Sequence, residues 1–129
     1  MKMKWLAAAL PMWPLLAWSC GICDEDTVAA TYDHAVVARA AAGRQTVVFV
    51  AVDAAVEPHA FERRIATVAP RIRGVVRNSV RTASAPLGFS FAMNPATQSP
   101  AAAVAELSGL LHVEPALRIV QIVSTPMPR

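Results

Sequence analysis

The chain has 129 residues, 55% of them hydrophobic, and a formal net charge of +3. That length accommodates one domain with a modest core and excludes a second. None of the five glycines belongs to a phosphate-binding loop and no serine stands in a Gly-x-Ser-x-Gly setting, which argues against a nucleotide enzyme or a hydrolase.

Two lysines, Lys2 and Lys4, precede an uncharged stretch from Trp5 to Trp18 that is interrupted by Pro11 and Pro14. A bilayer core requires about 20 apolar residues in a helix, so this stretch reads as a signal peptide, residues 1–19, and not as a membrane span. Small residues at Ala17 and Ser19 suit cleavage before Cys20, which predicts a periplasmic or secreted protein. Cys20 is also the position a lipid anchor would use, although Trp18 is bulky for that signal. Loss of both lysines leaves ten arginines against nine acids. Six of the arginines (Arg63, Arg64, Arg71, Arg73, Arg77 and Arg81) crowd one central segment. In an exported protein these read as a solvated face, and no nucleic acid is expected as a partner.

Cys20 and Cys23, the only cysteines, open the expected mature chain as Cys-Gly-Ile-Cys. Three chemistries are open to them. Two thiolates at this spacing converge on a soft ion such as copper(I) or zinc, with the freed amine of Cys20 and the carboxylates of Asp24 or Asp26 as further donors. A redox role would exploit the helix that follows, but the acidic run Asp24-Glu25-Asp26 raises a neighbouring thiol's pKa and opposes it. A small structural disulfide is the third reading. The pair is the candidate metal site; no catalytic residue is predicted, and the chain is not read as an enzyme.

After Asp24-Glu25-Asp26-Thr27, Val28 to Ala42 has helical composition and Gly43 stands where such helices end. Spacings of three and four predict that Val28, Tyr32, Ala35 and Val36 dock this helix on the body. Residues 20–43 thus form a thiol pair and an N-terminal helix. Gln45 to Asp53 is an apolar β-branched run, as in a central strand covered on both faces. Pro58 opens a helix carrying Phe61, Ile65 and Val68, which Pro70 ends. Val75 to Thr82 alternates as a half-exposed strand ending at Ala85-Pro86. Leu87, Phe89, Phe91 and Met93 share one side of the next strand, and Gly88, Ser90 and Ala92 the other. Ser99 caps a helix with Pro100 in its first position and an apolar seam of Val104, Leu107 and Leu111. Leu117 to Val123 supplies the last strand, and residues 124–129 read as a loose tail.

The body, residues 44–123, is therefore α+β in the order βαββαβ, a ferredoxin-like arrangement with a four-stranded antiparallel sheet, preceded by an extra N-terminal helix. Over Thr46 to Val123 the chain resembles the heavy-metal-associated domain family, through its Val-rich first strand, the helix from Pro58, the Gly74-Val75 step and Asn94-Pro95 followed by Ser99-Pro100. That family holds its metal thiolates between the first strand and first helix. Here the corresponding stretch is Ala54-Ala55-Val56-Glu57-Pro58, without cysteine, so the resemblance implies a fold and not that site. Two functions are expected from these residues. One is soft-metal binding or delivery through Cys20 and Cys23. The other is a non-enzymatic periplasmic interaction module with a stapled or unreacted cysteine pair, docking a protein partner on the flat sheet face of Gly88, Ser90 and Ala92 or on the Arg-rich surface.

Overall fold

The computed structural model describes residues 25–112 and 116–124. Helix α1 covers residues 25–31, followed by α2 (His34–Ala42), β1 (Thr46–Val52), α3 (Pro58–Val68) with a 3-10 turn over Ala69–Arg71, β2 (Arg81–Ser84), β3 (Leu87–Met93), α4 (Pro100–Leu111) and β4 (Leu117–Ser124). The class is α+β with one antiparallel four-stranded sheet in the order β2-β3-β1-β4. β1 lies in the middle, pairing Val48 with Phe91 on one side and with Ile122 on the other. All seven of its residues are buried, as the unbroken apolar run demands.

The two faces of the sheet have separate cores. On one, Val48, Val50, Phe89, Phe91 and Met93 meet Phe61 and Ile65 of α3 and Val104, Leu107 and Leu111 of α4. The rings of Phe89 and Phe91 stack at 6.0 Å and Phe61 tilts against Phe89 at 6.2 Å, adding aromatic attraction to burial. Each helix starts where its sequence directs. Glu57 accepts from the backbone N–H groups of His59 and Ala60 ahead of Pro58, and the hydroxyl of Ser99 accepts from Ala102 N ahead of Pro100. On the opposite face, Val36 and Ala40 of α2 pack on Val47, Phe49 and Ala92.

Three expectations need correction. The helix expected from Val28 to Ala42 is two helices, because the carboxylate of Asp33 accepts from Ala35 N and Val36 N and starts α2 afresh with its own backbone extended. A short acid that competes for helix N–H groups favours a cap over a helix interior. The docking face agrees with expectation at Val28 and Val36 and departs from it elsewhere. Tyr32 is 49% exposed and Ala35 lies outside, whereas Thr27, Thr31, Val36 and Ala40 are buried. Finally, the strand expected from Val75 to Thr82 exists only from Arg81 to Ser84. Val75 makes a single bridge to Met93, and Ser79 then turns inward, its hydroxyl donating to Val76 O and accepting from Ala92 N. Those bonds satisfy the backbone of a bent approach that alternation alone reads as a straight strand.

Candidate functional site

Cys20 and Cys23, the signal stretch 1–19 and residues 125–129 of the expected tail lie outside the described residues, whereas Ser124, expected as the first residue of that tail, ends β4. What the structure does give is the mount on which the thiol pair would sit. α1 approaches β3 closely because Gly88 has no side chain. A Cβ there would come within 2.8 Å of both Thr27 Cγ2 and the carbonyl oxygen of Val50, so no other residue fits without displacement. One turn further on, Ser90 Oγ donates to Thr31 O at 3.1 Å, and Thr31 Oγ1 donates back along α1 to Thr27 O at 3.2 Å. Ala92 completes the row under Val36 and Ala40 of α2. Gly88, Ser90 and Ala92 are therefore the seat of α1 and α2. The flat, open sheet face expected as a partner surface is covered by the chain's own N-terminal helices.

This row fixes direction as well as distance. Thr27 lies at Gly88, which pairs with Ala51 near the end of β1, while Val36 and Ala40 lie at Ala92, near its beginning. The residue-25 end of α1 therefore points to the end of the sheet where β1 runs out into Asp53. The β1–α3 loop (residues 53–57), the start of α3 and the C-terminus of α4 gather at that same end. Its exposed charges are the acids Glu25, Asp26, Asp53 and Glu57 and the cation Arg118, which is bonded to Asp53, and His59 and His112 are exposed there too. At the opposite end, Arg39, Arg44, Arg71, Arg73 and Arg77 are all exposed. The molecule is thus polarised along its strands, with negative potential around the start of α1.

Two of the acids have fixed tasks. Asp53 Oδ2 accepts from Arg118 Nε at 2.9 Å, tying β1 to β4. Both oxygens of Glu57 are spent on His59 N and Ala60 N, at 2.9 and 3.0 Å, and those backbone bonds hold its carboxyl below the usual carboxylate range. The β1–α3 loop consequently spends both of its carboxylates on partners within the fold and contains no cysteine. No group of three or more His, Cys, Asp or Glu side chains that could hold a metal ion occurs among the described residues.

The remaining candidates resolve simply. Met93 is fully buried in the core with Phe91. Asp33 is engaged within the fold. It caps α2 and accepts from Arg81 Nε at 2.8 Å, and that bond, followed by the cap bonds, lowers its pKa. Sequence patterning missed the seat itself because Thr27 and Thr31 count as polar in an apolar-stripe search, although the spacing of four and the small residues at Gly88, Ser90 and Ala92 were both visible. Among the described residues no helix is long and apolar enough to cross a membrane. No family model matches the chain, and no curated protein or solved structure matches it.

Proposed function

We propose that this is an exported, non-enzymatic soft-metal carrier in which Cys20 and Cys23 bind copper(I) or zinc at the head of α1. The observation that carries the reading is the direction of α1. Residue 25, two positions after Cys23, stands at the acidic end of the sheet, on the same side as the loop that bears thiolates in the resembling family. Carboxylates there concentrate cations. They also oppose a free thiolate, so a proton is better replaced by a metal ion than lost to water, which favours metal binding over nucleophilic redox chemistry. The strand order β2-β3-β1-β4, with α3 and α4 on one face, supports a ferredoxin-like βαββαβ body. On this reading the body supplies rigidity and charge, and the thiols supply the bonds.

Titration of the reduced protein with copper(I) against a chromophoric chelator tests the proposal. One ion per chain is expected, with loss of that ion in Cys20→Ser and in Cys23→Ser and retention in His34→Ala. Binding that is absent, or indifferent to both cysteines, overturns it.

A further inference from the structure

The arginines of the fold are used in two ways. Arg81 donates to Asp33 and Arg118 to Asp53, so each of these guanidinium groups faces a carboxylate. Among the described residues Arg39 and Arg77 have no such partner, and they border the same hollow. It lies between the last turn of α2 and the bend that precedes β2, at the end of the sheet away from the start of α1. Both arginines stand on closed turns. Arg77 is the second residue of a turn in which Ser79 N donates to Val76 O at 3.3 Å, with Asn78 in the left-handed region at φ +70°. Arg81 Nη1 holds Asn78 O at 3.0 Å, and the Ser79 hydroxyl joins the bend to β3 through Val76 O and Ala92 N. In the last turn of α2 the carbonyls of Arg39, Ala40 and Ala41 accept from the backbone N–H groups of Gly43, Gln45 and Arg44. Those carbonyls have backbone donors already, so closing the helix does not require the side chain of Arg39.

The lining of the hollow suits an anion. Arg39, Arg77 and Asn78 are its exposed members, Gln45 is half-buried, and the buried floor includes Val36 and Ala92. No Asp or Glu is among the described residues that line it. A volume of about 30 Å³ admits about two water-sized atoms, which is one oxygen edge of an oxyanion and not a whole organic molecule. Like charges held over an apolar floor repel where water screens them least, and a bound anion relieves that repulsion. Arg44, exposed next to Gln45, adds to the positive potential there.

We infer that this hollow is an oxyanion site, bordered by Arg39 and Arg77, that takes the dianionic phosphoryl group of inorganic phosphate or of a small phosphate monoester. Guanidinium groups present paired N–H donors that match an edge of a phosphoryl group. A carboxylate carries one charge and neutralises one arginine, whereas a phosphate dianion answers both. The side-chain amides of Gln45 and Asn78 are neutral donors for a further oxygen. Because the floor is apolar, recognition is confined to the rim, and the organic part of an ester is left in solvent. The site is separate from the proposed thiol chemistry and does not depend on it.

Nuclear magnetic resonance titration of the protein with inorganic phosphate, at constant ionic strength and with the thiols alkylated, tests this independently of the metal reading. Saturable shifts are expected at the Nε–H groups of Arg39 and Arg77 and at the side-chain amides of Gln45 and Asn78. Affinity should fall at least about tenfold in Arg39→Gln and in Arg77→Gln and stay unchanged in Arg63→Gln on α3. Far-ultraviolet circular dichroism and the thermal midpoint without phosphate verify that the variants fold. Acetate should bind at least about tenfold more weakly than phosphate. Glycerol phosphate identifies the source: binding at least as tight as that of inorganic phosphate assigns a monoester, and weaker binding assigns free phosphate. Absence of saturable shifts up to about 50 mM phosphate overturns the inference. So do shifts that persist in both arginine variants, or acetate bound as tightly as phosphate.

Discussion

The α3/α4 face and the α1/α2 face of one sheet are held by opposite means. The first is bulk: three phenylalanines and the branched side chains of two helices fill the space at van der Waals contact. The second is proximity. A glycine, a serine and an alanine let α1 and α2 come near enough for threonines to serve as core residues. Bulk makes the body stable, while proximity gives the N-terminal helix one height and one direction. A layer built from close approach and the hydrogen bond from Ser90 to Thr31 buries fewer bulky side chains than the first.

Truncation should separate the faces. Phe91→Ala, in the fully buried stack, is expected to cost about 3–5 kcal/mol and to lower the denaturant midpoint of the whole molecule. Gly88→Val should cost less, about 1–3 kcal/mol, because α1 can lift from the sheet instead of the core giving way. Tyr32, the only tyrosine, reports it. Its ring environment should change in near-ultraviolet spectra while far-ultraviolet ellipticity persists. If Gly88→Val unfolds the body as Phe91→Ala does, the two layers are not separable. Ser90→Ala removes the bond to Thr31 O and should cost about 0.5–1.5 kcal/mol, read as faster amide exchange in α1 with α3 unaffected.

The smallest effect is titration. Arg81 and two backbone N–H groups lower the pKa of Asp33, and two backbone N–H groups lower that of Glu57. A carboxylate whose folded pKa lies below its unfolded value contributes stability above the unfolded pKa and loses it as pH falls through the folded one. Stability should therefore be flat near neutrality and decline as pH drops below about 4. Asp33→Asn should remove part of that decline and leave the neutral plateau nearly unchanged, since exposed pairs contribute little. An acid limb unaltered in Asp33→Asn would assign the titration elsewhere.

Much of this architecture was legible in residue order. β1 announces itself by a continuous β-branched run, β3 by strict alternation, and α3 and α4 by Pro58 and by Ser99-Pro100 at their starts. The errors share one cause. Asp33, Thr27, Thr31 and Ser79 are polar residues whose hydrogen bonds to backbone decide where a helix breaks or how a strand bends, and no pattern of apolar spacing records them. Small residues misled for a related reason. Gly88, Ser90 and Ala92 are compatible with an open surface or with a tightly seated helix, and only the position of α1 distinguishes the two. The direction in which α1 starts depends on its register against β3, a long-range fact that the Cys-x-x-Cys motif does not carry.

X-ray absorption at the metal edge of the zinc-loaded, reduced protein addresses the central claim most directly. The account predicts sulfur scatterers at about 2.3 Å, two per ion, that disappear in the Cys20→Ser, Cys23→Ser double variant. A first shell of nitrogen and oxygen alone, identical with and without the cysteines, would contradict it.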